Sequence, residues 1–112
     1  MDIPIIAESI RFSNPAPKEG ENVKVSVVLY NNSSESINFV VIFYWCPEMV
    51  VSKEQLKKYA KEEFKVHQEK IKMYGKERKN FSFNWSARKG FKCMFFLLKE
   101  FGEEKGCEEE SL

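Results

Sequence analysis

Thiol and imidazole chemistry in this 112-residue chain rests on four side chains: Cys46, Cys93, Cys107 and the single histidine, His67. A metal site would need all four to converge, and there is neither a C-x-x-C pair nor any metal-ligand spacing among them. Cys46 and Cys93 sit in apolar, strand-like stretches. They read as buried thiols acting as small hydrophobes, with a bridge between neighbouring strands as the alternative. Cys107 falls in an acidic terminal stretch and reads as an exposed, unpaired thiol. His67 lies between Phe64 and Ile71 at helical spacing, which suits a ring at the edge of a core better than a ligand or an acid–base group. No Ser/His/Asp constellation, glycine-rich phosphate loop or paired-carboxylate signature accompanies it. The expectation is a non-enzymatic protein with no catalytic residue, metal or cofactor.

Charge is the next candidate for function. With 18 basic and 17 acidic residues the chain carries a net charge of +1, which argues against a wholesale polyanion binder and against disorder. The balance is a cancellation: residues 1–52 sum to −3, residues 53–92 to +8 and residues 93–112 to −4. Within the basic centre, Lys57, Lys58, Lys61, Lys65, Arg78, Lys79, Arg88 and Lys89 are interleaved with aromatics and form a possible partner-binding surface. Its partner would be a nucleic acid or an acidic protein face; the alternative is a solvated helix face with Glu62, Glu63 and Glu69 in i,i+4 pairs. Sequons begin at Asn31, Asn32, Asn80 and Asn84, a weak signal because Asn/Ser alternation also produces them.

The elements that must position these residues alternate with period two. A first edge strand over 3–13 ends at Pro15 and Pro17. Val23, Val25, Val27 and Leu29 share the apolar face of a second strand. Ile37 to Cys46 is apolar on both faces and reads as a central strand ended by Pro47. The period then changes. Ser52 with Gln55 makes a capping box, and Leu56, Tyr59, Ala60, Phe64, His67, Ile71 and Tyr74 follow at helical spacing to Gly75, predicting a helix over 53–74. Phe81, Phe83 and Trp85 return to alternation, and the last strand spans 91–98. The prediction is a mainly β protein, an antiparallel β-sandwich of residues 1–99 with one long helical insertion (52–75) between its third and fourth strands. An acidic, flexible tail would occupy 100–112. No stretch approaches the ~20 apolar residues of a membrane span.

Ile10-Arg11-Phe12-Ser13-Asn14-Pro15-Ala16-Pro17-Lys18-Glu19-Gly20-Glu21-Asn22-Val23, then Tyr30-Asn31-Asn32, resembles the opening of the CARDB family of immunoglobulin-like sandwiches. Phe39-Val40-Val41-Ile42-Phe43-Tyr44 is similar to the family's third strand. Glu77 to Trp85, followed by Gly90-Phe91, is similar to its aromatic-Trp and Gly-aromatic pair. The resemblance implies an immunoglobulin-like fold and an interaction or adhesion role, commonly in exported surface proteins. The site would then be cytoplasmic for a complete chain and the cell surface for a fragment of an exported one. The family closes with a further strand where this chain turns acidic. That leaves 91–98 as an open edge beside Phe96 and Leu98, to be filled by a second copy, a partner's strand or the inserted helix. The expectation is self-association, with a small nucleic-acid-binding protein as the alternative.

Overall fold

The computed structural model describes residues 3–100. Six strands form two antiparallel three-stranded sheets, a β-sandwich as the alternation predicts. Strands β1 (Ile5–Phe12), β2 (Asn22–Asn31) and β5 (Arg78–Ser86) make one sheet in the order β1-β2-β5. Strands β3 (Ile37–Cys46), β4 (Lys65–Met73) and β6 (Cys93–Glu100) make the other in the order β4-β3-β6. The acidic stretch 101–112, including Cys107, lies outside the described residues.

Side-chain parity builds the core. Val23, Val25, Val27 and Leu29 of β2 are fully buried against Phe39, Val41 and Phe43 of β3, and Phe43 packs between Phe81, Phe83 and Phe96. Strand β3 is central and covered on both faces. Its other face, Val40, Ile42 and Tyr44, packs against Ala60, Phe64, Phe95 and Leu97. Two turns between strands use glycine where φ is +87°, at Gly20 and Gly90, a region open to glycine without a Cβ penalty.

The long helix is corrected. A helix forms, α1, but only over Lys53–Tyr59, followed by a single 3-10 turn at Glu62–Phe64 and then strand β4. Half of the capping box forms: Ser52 Oγ accepts from Gln55 N at 3.3 Å, whereas Gln55 Oε1 reaches past the cap residue and accepts from Val51 N at 2.6 Å. Beyond Ala60 tertiary pairing overrides the helical pattern. His67, Glu69, Ile71 and Met73 lie opposite Phe43, Val41, Phe39 and Ile37, so the inward face of β4 is apolar only in its second half. His67 and Glu69 fill the first half by pairing with each other, Nε2 to Oε1 at 2.8 Å. Gly75 is likewise no helix cap. It sits in the turn between β4 and β5, where a Cβ would meet Ser34 O at 2.4 Å.

Candidate functional site: an open sheet edge

Two three-stranded sheets leave four edge strands, and their sequences treat the edge differently. β1 carries Glu8 and Arg11 and a register shift between Ala7 and Ser9. β4 presents Lys65, His67, Glu69, Lys70 and Lys72, and it shifts register opposite Phe43 and Tyr44. β5 opens with Arg78 and Lys79. Charges and bulges of this kind keep an edge from pairing with another chain. β6 carries its charges at one end, Lys99 and Glu100; before them Cys93-Met94-Phe95-Phe96-Leu97-Leu98 is apolar on both faces and pairs with β3 in unbroken register from Cys46↔Cys93 to Phe39↔Glu100. β5 is likewise uncharged and regular beyond Lys79, but Asn80, Ser82, Asn84 and Ser86 make one of its faces polar.

Both predicted edge residues lie on this strand, on its inner face. Phe96 is opposite Phe43, with ring centroids 5.7 Å apart, and Leu98 is opposite Val41; both pack against the core. The outward residues are Phe95, stacked on Tyr44 at 5.3 Å, and Leu97. The sequence signal for the outer pair is that 93–98 is apolar on both parities. Leu97 borders a small apolar cleft of about 250 Å³ with Lys53, Leu56, Lys57 and Ala60. An adjoining open pocket of about 490 Å³ runs between Met49, Val51, Leu56, Cys93 and Phe95. Met49 is 63% exposed and Val51 87%, so an apolar rim continues past the outer face of the strand. Helix α1 lies on the sheet face beside β6, with Leu56 and Ala60 lining the cleft next to Leu97.

The eight basic candidates are spread over both layers. Lys57 and Lys58 stand on α1 and Lys61 just after it, beside the β4-β3-β6 sheet; Lys65 opens β4. Arg78 belongs to the other sheet, where its guanidinium binds Glu8 through Nε and Nη2 at 2.6 and 2.9 Å and lies 4.9 Å from the Tyr30 ring. That contact holds the Glu8 carboxyl below its ordinary value and raises Arg78. Lys58 pairs with Glu48 at 3.6 Å, Lys65 with Glu62 at 3.7 Å and Lys79 with Glu77 at 4.0 Å. Arg88 and Lys89 are exposed in the loop after β5. Half of the set is thus matched by carboxylates of the same surface.

His67 is half-buried, stacked on Phe83 at 4.4 Å and 11° and bonded to Glu69, the core-edge arrangement the sequence suggested on a different element. It lies on the inner face of its sheet, opposite Phe43, whereas Cys46 and Cys93 share the outward parity of Val40, Ile42 and Tyr44. Among the described residues no three His, Cys, Asp or Glu side chains gather as a metal site. Of the four sequon asparagines, Asn31 is fully buried, so its side chain offers no acceptor to a glycan; Asn32, Asn80 and Asn84 are exposed. No helix among the described residues is long and apolar enough to cross a membrane. No family model and no curated protein matches the chain.

Proposed function

We propose that this chain is a non-enzymatic interaction module of the CARDB-like, immunoglobulin type, and that it self-associates by pairing β6 with β6 of a second copy. The observation that carries the reading is the contrast among the four edges. β1 and β4 are blunted by charge and a register shift, and β5 sets Asn and Ser along one face, while β6 offers six residues, Cys93 to Leu98, that are apolar on both faces in regular register. The strand order supports it as well. In sandwiches of the immunoglobulin type the strand after the sixth lies beside it, next to the position of β6 in the order β4-β3-β6. A two-fold pairing is isologous, so each copy presents the same patch. It would extend the sheet to six strands and bring Phe95, Leu97 and the Met49–Val51 rim of the two copies together.

Sedimentation across a concentration series tests it. The parent chain is expected to pass from monomer to dimer. Leu97→Lys puts an ammonium on the outer edge of a half-exposed position and should hold the protein as a folded monomer. Val28→Lys, half-exposed on the other sheet, should leave association unchanged. A parent chain that stays monomeric at millimolar concentration, or a Leu97→Lys protein that dimerises as before, overturns the reading.

A further inference from the structure

Cys46 and Cys93 end β3 and begin β6 as direct partners in the register. Opposed residues of an antiparallel ladder hold their Cα atoms roughly 4.5–5.5 Å apart. A disulfide requires about 4.4–6.8 Å, so the ladder itself supplies the spacing. Both side chains share the outward parity of Val40, Ile42 and Tyr44, on the same side of the same pair of strands. They differ in access. Cys46 is fully buried, whereas Cys93 is half-buried and lines the open pocket beside Met49, Val51 and Phe95. One thiol faces solvent and the other stands directly behind it.

We propose that Cys46 and Cys93 form a dithiol site that closes to a cross-strand disulfide by exchange with a small-molecule disulfide, Cys93 reacting first and Cys46 resolving. In the first step the Cys93 thiol gives up its proton, and its sulfur attacks one sulfur of R–S–S–R. The Cys93–S–S–R bond forms, and the departing thiolate takes up a proton as RSH. In the second, deprotonated Cys46 attacks the Cys93 sulfur, forming the Cys46–Cys93 bond and releasing the second RSH. Two protein thiols lose two electrons and two protons, and the small disulfide is reduced to two thiols.

The groups around the pair set the relative rates. Cys46 faces Cys93 from β6, Glu48 from the segment after β3 and Tyr59 from α1, with Lys58 paired to Glu48. Cys93 Sγ donates to Glu48 O at 3.3 Å. Burial, the Cys93 contact and the Glu48 charge push the Cys46 thiol up to about 12, so little thiolate is present near neutrality. Burial, the largest of these causes, remains once Cys93 carries the adduct, so the second step accelerates as pH rises while Cys46 remains mostly protonated.

The experiment uses the full chain carrying Cys107→Ser, dilute, with glutathione disulfide as the probe, followed by intact mass, thiol titration under denaturing conditions and peptide mapping. The expected course is a transient glutathione adduct on Cys93. It is followed by a monomer two hydrogens lighter than the reduced chain, with no free thiol and the peptides of Cys46 and Cys93 linked. Cys46→Ala should stop at the adduct, and Cys93→Ser should form neither species. A stable adduct with Cys46 still free at alkaline pH, a first adduct on Cys46, or a bond joining two chains overturns the proposal. The Cys107→Ser chain decides the matter even if a further substitution prevents folding.

Discussion

Asn31 is the fully buried polar residue at the end of β2, and replacing it tests how the two sheets are held in register at that end. Its Nδ2 donates to Glu35 O at 2.8 Å and to Tyr74 O at 2.9 Å, while its Oδ1 accepts from Ser33 N at 3.0 Å. One amide therefore ties the β2–β3 turn to the β4–β5 turn. Asn31→Ala removes these three bonds together with a longer one from Nδ2 to Met73 O at 3.4 Å and the one Oδ1 accepts from Ser33 Oγ at 2.8 Å. Counting only the three short backbone bonds at about 1 kcal/mol net apiece, the expected loss is at least about 3 kcal/mol, a large share of the ~5–15 kcal/mol typical of a domain. Asn31→Asp keeps the shape but turns two donors into an acceptor facing two carbonyl oxygens, so it should cost at least as much near neutrality. Acid should then relieve the Asp variant, because a protonated carboxyl donates again, and should leave the deficit of the Ala variant unchanged. Urea unfolding followed by tryptophan fluorescence at two pH values reads both quantities, with the slope expected to be the same in all three proteins. An Ala variant within about 1 kcal/mol of the parent, or an Asp variant whose deficit is the same at both pH values, would refute the account.

The same junction predicts that Gly75→Ala destabilises by about 1–3 kcal/mol, because its Cβ would meet Ser34 O at 2.4 Å and one of the two turns must move; the same urea titration measures it. Acid should weaken the fold through Glu8 and Glu48, whose carboxyls are held below 4.5, Glu8 by Arg78 and Glu48 by the Tyr59 hydroxyl with help from Lys58. A carboxyl depressed in the folded state stabilises above its unfolded value and loses that contribution as pH falls through its folded one. The thermal midpoint is therefore expected to drop as pH falls below about 4.5, and Glu8→Gln should make the drop shallower.

The period-two strands were legible because one physical demand, a buried face against a wet one, wrote them: Val23-Val25-Val27-Leu29 alternates, and all four are buried. The centrality of β3 was legible for the same reason, as apolar residues fell on both parities. Strand β4 was hidden because its inward positions include His67 and Glu69, which satisfy each other at 2.8 Å instead of contributing apolar surface. With Lys, Glu and Gln elsewhere along it, the segment has helix-forming composition, and only its pairing with β3 decides otherwise. The grouping of the basic residues was misjudged through that error. A single helix would have gathered Lys57, Lys61 and Lys65 on one face, whereas a seven-residue helix followed by a strand separates them. The neighbouring placement of Cys46 and Cys93 was legible from the strand pattern, but their direct opposition depends on register, which only the folded ladder fixes.

A chain with thirteen basic side chains in residues 53–92 has ample charge to place on any exposed strand; β4 carries it along its length, and β5 carries Arg78 and Lys79 at its start with polar Asn and Ser beyond them. Strand β6 receives charge only at its ends: exposed Lys92 and Lys99 bracket the six uncharged residues between them. Flanking lysines limit unregulated growth from an apolar segment, and they do so without blocking a single register-matched partner. On the self-association proposed above, an edge bracketed at its ends and apolar in the middle would close on one two-fold partner. Charge moved from the ends to the middle, as in Leu97→Lys, should abolish association while leaving the core between the two sheets, on which folding depends, unchanged.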